Sequence, residues 1–156
     1  MTAANRVLLD EVNQAAAWFR ARKISPIWVK EIPNGQIVES VEGSVRVLEG
    51  DFLCRGDGGD LWPQSAKHLL AKYQPTDQLN SEGWTKYEPR LDQAGVLAAQ
   101  VRHSFAIDTE RGRLRGKAGD YLLKDDDDAD ARYPRRLWIV DRKLFNATYK
   151  RDNDGS

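Results

Sequence analysis

The feature that most constrains this chain is that it matches itself. Sliding the 156 residues by 69 positions sets residues 26–32 on residues 95–101, apolar on apolar at most places. The same offset puts Gly43 on Gly112, Arg46 on Arg115, Gly50 and Asp51 on Gly119 and Asp120, Phe52 on Tyr121, and Leu53 on Leu122. The offset then becomes 76, and residues 61–73 fall on 137–149 without a gap, five of the 13 positions being identical. The seven extra residues of the second copy lie in one stretch, around Asp125 to Arg136. A surface loop absorbs such length at little entropic cost. The sequence therefore predicts one small folding unit built twice, and features held by both copies outweigh those held by one.

Units of this size are marginal alone, because small domains bury a low fraction of their surface. The two copies are expected to share a core or an interface. Val7, Leu8, Val12, Ala15, Ala16 and Phe19 are spaced as on a helix over residues 3–22, with Thr2 as N-cap. This helix lacks a counterpart in the second copy and is expected to cover a face or edge of the first. Each copy then reads as short strands, with hairpin turns at Glu42 and Gly43 and again at Arg111 and Gly112. A Gly-Asp-aromatic-Leu turn follows, and a short helix capped by Ser65 or Asp141 closes each copy. Residues 74–93 are polar, contain Pro75 and Pro89, and read as a linker.

The predicted fold class is α+β: two tandem small β-rich units, each closed by a short C-terminal helix, plus an N-terminal helix. The boundaries are an N-terminal helix over 1–24, a first module over 25–75, a linker over 76–93, a second module over 94–151 and a disordered tail over 152–156.

Composition narrows the functional classes. Hydrophobic residues make up 40% and charged residues 31%, as in soluble globular proteins. The 24 basic and 24 acidic residues cancel, so the basic excess that neutralises phosphates in nucleic-acid binders is missing. Cys54 is the sole cysteine, which excludes an intrachain disulfide and a cysteine metal cluster. The first 25 residues carry no apolar run like a signal-peptide core, and no stretch has the length to span a membrane. A cytoplasmic location is expected.

The Gly-Asp-aromatic-Leu turn, a later aromatic and a Phe/Leu-x-x-x-Tyr helix together resemble the PGDYG family of small bacterial and phage proteins. The resemblance rests on residues 117–123 and 145–149, and in the first copy on 49–54 and 69–73. The family's leading proline is Glu49 or Ala118 here, and its final glycine is Leu53 or Leu122. The resemblance implies the repeated fold unit; it brings no assigned activity.

Candidate sites are weighed against the repeat. Cys54 with His68 or His103 suggests a nucleophile and base, yet Cys54 aligns with Leu123 and His68 with Leu144, which points to core positions. A zinc site would need carboxylates beside two histidines that lie in different copies. Asp125–Asp128 with Asp130 fails the EF-hand pattern, having Asp130 at its sixth position and Arg136 at its twelfth; such a run reads as a solvated, mobile loop. Gly56–Gly59 lacks the lysine of a phosphate loop and reads as a turn.

Asp51 and Asp120 are retained in both copies and fit either a general base or a turn-capping carboxylate. Arg46 and Arg115 fit an anion clamp or an intramodule partner for those aspartates. Trp62 and Trp138, with Tyr73 and Tyr149, fit a stacking surface or a lock between helix and strands. Without a convergent catalytic set, the sequence is read first as a non-catalytic interaction module for another protein, with no cofactor or metal. One alternative is a binder of a small anionic ligand, a nucleotide or phosphometabolite, at the seam between copies, using Arg46, Arg115, Asp51, Asp120, Trp62 and Trp138. Another is a hydrolase using Asp51 or Asp120.

Overall fold

The computed structural model of the protein describes residues 1–152. Helix α1 (Ala3–Gln14) is capped by Thr2, whose hydroxyl accepts the Asn5 amide at 3.3 Å. It buries Leu8, Leu9 and Val12. The helix stops eight residues earlier than the periodicity predicted: Ala16 adopts a positive φ of 51°, a conformation no helix continues through. Phe19–Lys23 then forms strand β1. A short amphipathic run satisfies helical and strand spacing alike, and here tertiary pairing decides. No helix among the described residues is long and apolar enough to cross a membrane.

The two units follow. In the first come β2 (Ile27–Glu31), the hairpin β3 (Ile37–Ser40) and β4 (Gly43–Arg46), β5 (Asp51–Arg55), β6 (Leu61–Ser65), α2 (Ala66–Lys72), β7 (Tyr73–Leu79) and β8 (Thr85–Pro89). In the second come β9 (Val96–Gln100), the hairpin β10 (Phe105–Thr109) and β11 (Gly112–Gly116), and β12 (Tyr121–Asp125). A 3-10 turn at Asp126–Asp128, β13 (Trp138–Val140), α3 (Arg142–Thr148) and β14 (Tyr149–Arg151) complete it. The architecture is α+β, as predicted.

Two five-stranded antiparallel sheets carry the same order, β6-β5-β2-β8-β7 and β13-β12-β9-β1-β14. Every place but the fourth is filled by matching elements of one copy. The fourth is exchanged. β1 precedes β2 in the chain yet lies in the second sheet, pairing Ala21 with Val96 and with Arg151. β8 precedes β9 yet lies in the first, pairing Tyr87 with Ile27 and with Pro75. Each unit therefore lends its leading strand to the other.

This exchange corrects three expectations. The stretch 76–93 is not a linker but most of the β7–β8 hairpin; its polarity reflects β7, a sheet edge exposed along most of its length, where proline is tolerated. The 1–24 segment is a helix and a strand, not one helix. And α1 covers the second unit, packing Leu8, Leu9 and Val12 against Ala99, Val101, Phe105 and Ile107. Asn5 fastens it there: its amide group donates to the Asp108 carbonyl at 2.9 Å and accepts the Asp108 amide at 2.8 Å. Asn5→Ala is expected to lower stability by about 2 kcal/mol, since it leaves both Asp108 backbone groups without their partner; urea unfolding measures it. Of the expected disordered tail, Asp152 pairs with Arg22 and donates its amide to Arg20, while 153–156 lie outside the described residues.

α2 and α3 begin as the caps predicted. Ser65 accepts the His68 amide, and Asp141 accepts those of Lys143 and Leu144. Each helix ends at a tyrosine in extended conformation, which opens an edge strand. The hairpins reach across the seam reciprocally: Arg46 donates its amide to the Arg111 carbonyl, and Arg115 donates to that of Glu42, both at 2.8 Å. The turn glycines permit this approach. A Cβ on Gly43 would lie 3.0 Å from the Arg113 carbonyl oxygen, and one on Gly112 would lie 3.1 Å from that of Ser44.

Candidate functional site

The paired aspartates are buried, and their turns consume them. Asp51 accepts the Leu48 amide at 2.9 Å, and Asp120 accepts the equivalent Lys117 amide at 2.9 Å. Asp120 uses its other oxygen on the Arg142 amide at the start of α3, at 3.0 Å. Asp51 receives instead a two-pronged guanidinium from Arg111 of the other unit, with Nε and Nη2 each 2.7 Å from a carboxylate oxygen. Carboxylates engaged in this way hold backbone amides and a guanidinium in place, the structural role of a turn-capping residue.

Arg46 and Arg115 do not pair with these aspartates. Both side chains are exposed, and their contribution across the seam is made by backbone amides. The cation that matters is Arg111, which aligns with Glu42. The equivalent corner of the second unit is therefore occupied by a carboxylate facing carboxylates. Burial, reinforced by Asp120, Asp141 and Asp60, pushes Glu42 up to about 7.

The tryptophans and tyrosines do converge. Trp62 and Trp138 are partly buried, and with Tyr73 and Tyr149 they line a cleft between the two sheets, part of a larger depression of ≈ 1210 Å³. Tyr149 stacks on Phe145 with centroids 4.8 Å apart, and Phe145 stacks on Tyr121 at 4.0 Å. The tyrosine thus joins helix to sheet and also lines the cleft.

Arg136, Lys72 and Lys23 are among the cations that line this depression. Arg136 lies over the Trp138 ring at 4.1 Å and is held by Asp125 at 3.0 Å. Lys72 donates to the Gly95 carbonyl at 2.6 Å and lies 3.7 Å from Asp125. Lys23, at the end of the exchanged strand β1, differs from both. Its Nζ lies 4.8 Å from the Trp62 ring centroid and 5.2 Å from that of Tyr149. Among the described residues its ammonium has no hydrogen-bond or ion-pair partner. Burial lowers its pKa, with Asp60 the foremost charge acting the other way. The Oδ1 atom of Asp60, also in the cleft, is buried without a hydrogen-bond partner.

The remaining candidates are structural. Cys54 is fully buried on β5, accepts from Gln64 at 3.3 Å, and has its thiol pushed up to about 12 by burial. A thiol so raised is not a nucleophile at neutral pH. His68 lines the cleft with its Nδ1 2.8 Å from the Ser65 hydroxyl, and burial lowers its pKa. His103 is exposed, 2.6 Å from Glu11. The aspartate run is not a solvated loop. Asp125 pairs with Arg136 and the buried Asp128 with Arg135, arginines that the second copy's extra residues bring with them, and Asp126 pairs with Arg20 of β1. No group of three or more His, Cys, Asp or Glu placed to hold a metal occurs among the described residues.

Sequence reasoning missed Lys23 and Arg111 for one reason. Neither aligns with a like residue in the other copy. The available signal was Trp18 and Trp84, a matched pair 66 residues apart that precede β1 and β8. Comparison with known proteins gives no matching family model, no matching curated protein and no matching solved structure.

Proposed function

We propose that the protein is a binding module for a small anionic ligand with a planar portion, held in the cleft between the two sheets. Lys23 carries this reading: it is a partly buried ammonium, flanked by two aromatic rings and without an acceptor among the described residues. An ammonium without a counter-charge gains a charge-assisted hydrogen bond when an incoming anion supplies one. Trp62 and Trp138 line the cleft as aromatic surfaces for the planar portion. Arg46, Arg115, Asp51 and Asp120 are not part of this reading.

A protein-docking face receives less support. The exposed large apolar side chains among the described residues, Met1, Val7, Ile24, Ile37, Val41, Leu70, Leu79 and Leu91, come from several elements of both units. Docking surfaces are contiguous patches.

Thermal shift and calorimetry against nucleotides and phosphorylated metabolites test the proposal. A ligand of this class is expected to raise the melting temperature, and Lys23→Ala to weaken its binding by about 10- to 100-fold, the worth of a charge-assisted hydrogen bond. Absence of stabilisation by any of them at millimolar concentration overturns it.

A further inference from the structure

Helix α1 and strand β1 form an arm whose hydrogen bonds and ion pairs reach the far half of the chain. Besides the Asn5 bonds to Asp108, the Asp10 carboxylate accepts from Arg132 at 3.0 Å, and Glu11 lies 2.6 Å from the His103 ring. The Asn13 amide group donates to the Arg132 carbonyl at 3.2 Å, Arg20 pairs with Asp126, and Arg22 pairs with Asp152 at 3.1 Å. β1 itself lies between β9 and β14. Among the described residues, no hydrogen bond, ion pair or strand pairing ties residues 1–23 to residues 27–89. Toward that first unit the arm extends the Lys23 ammonium over the Trp62 ring.

Ile24, Ser25 and Pro26 alone join the arm to β2. The joint is at the surface, with Ile24 53% exposed, and the backbone bends at Ser25. A proline pushes the residue before it towards extended backbone, and an extended joint carries the arm away from its own chain. A second copy of the chain offers that arm the same β9, β14, Asp108, Arg132 and His103. Every contact the arm makes within one chain can therefore be made between two, and a trade of arms costs only the joint and the association. The two units already exchange strands inside the chain, and a second copy extends the same exchange.

We propose that the protein forms a closed dimer in which each copy lays its α1–β1 arm on the second unit of the other. Lys23 travels with the arm, so each copy's cleft receives its ammonium from the other copy. The dimer does not depend on what the cleft binds.

The test uses the full chain, refolded from urea over a range of concentrations so that arms can trade. Light scattering counts the chains, and the dimer is expected to grow at the expense of the monomer as concentration rises. Two cysteine pairs, joined by a short bismaleimide, read the connectivity: Asp10→Cys with Arg132→Cys, and Glu11→Cys with His103→Cys. All four side chains are well exposed, so either pair leaves the core intact, and Cys54 is fully buried. In the traded dimer the link joins two chains and runs as a dimer on a denaturing gel. In the monomer it stays within one chain. Inserting Gly-Ser-Gly after Ser25 lets the arm turn back on its own chain, and is expected to lower the dimer fraction about tenfold, since a longer joint disfavours swapping. A monomer at every concentration overturns the proposal. A dimer whose links stay within single chains also overturns it, because its copies then meet through another face. A ladder of linked chains beyond two, or a dimer fraction unchanged by the longer joint, does the same.

Discussion

Replacing Arg111 with alanine is expected to destabilise the protein by about 3–5 kcal/mol, the cost of removing one member of a buried ion pair. Its partner carboxylate on Asp51 has only 1% of its side chain exposed, and the guanidinium itself 14%. Truncation leaves Asp51 with the Leu48 amide alone. The pair also joins the two units, so the loss falls on their seam and not within either one. Arg111→Lys is expected to recover only part of it, since an ammonium cannot make the two parallel hydrogen bonds that the guanidinium fork makes. Urea unfolding at neutral pH measures both variants. A loss below about 1 kcal/mol for the alanine variant would place this pair with exposed salt bridges and remove its claim to hold the seam.

The opposite corner predicts the opposite sign. Glu42 occupies the position equivalent to Arg111 and is raised from 4.5 to about 7, by burial first and then by Asp120, Asp141 and Asp60. A carboxyl group with a folded-state pKa above its unfolded value binds a proton more tightly when folded. Below 4.5 it is protonated in both states and has no effect on stability. Between 4.5 and about 7 the unfolded chain ionises while the folded chain holds its proton, so stability falls as pH rises. Above about 7 the full penalty is present, about 3 kcal/mol for a shift of this size. Glu42→Gln keeps the shape and the backbone carbonyl that accepts from Arg115, and it does not titrate. The variant is expected to be more stable than wild type by about 3 kcal/mol at pH 8 and nearly equal to it at pH 4.5. Denaturation curves at the two pH values decide the matter, and parallel profiles for the two proteins would refute the assignment.

Much of the fold was legible because it depends on local chemistry written twice. Ser65 and Asp141 cap their helices through oxygens that few other residues supply. Gly43 and Gly112 mark hairpin turns whose backbone no side chain tolerates. Asp51 and Asp120 fix the turns their glycines open, and Cys54, aligned with a leucine, is buried. The hidden part depends on pairing over long separations. Residues 19–23 satisfy helical and strand spacing alike, and what makes them a strand is residues 96–98 and 149–151, far along the chain. Residues 85–89 look like a tether until Ile27 and Tyr73 are beside them.

The candidate site was half legible. Trp62 and Trp138 were found because both copies hold them. Lys23 and Arg111 stayed hidden because a repeat hides what makes its copies differ. Once two copies exist, a corner that carried the same residue twice is free to carry unlike ones. Here Arg111 and Glu42 have diverged to opposite charge at equivalent corners, and chemistry confined to one copy is where a single ligand would be held.

The strand trade between the sheets also sets the order of events at the ribosome. When β1 emerges, its neighbours on both sides are still untranslated, and the last of them, at 149–151, follows about 130 residues later. The first sheet likewise lacks its fourth strand until residue 89 is made. Neither half can therefore settle until strands from the other have been made, and folding is slow, as non-local pairings demand. Until then an unpaired Phe19–Lys23 segment and its buried-face residues stand open to chaperones.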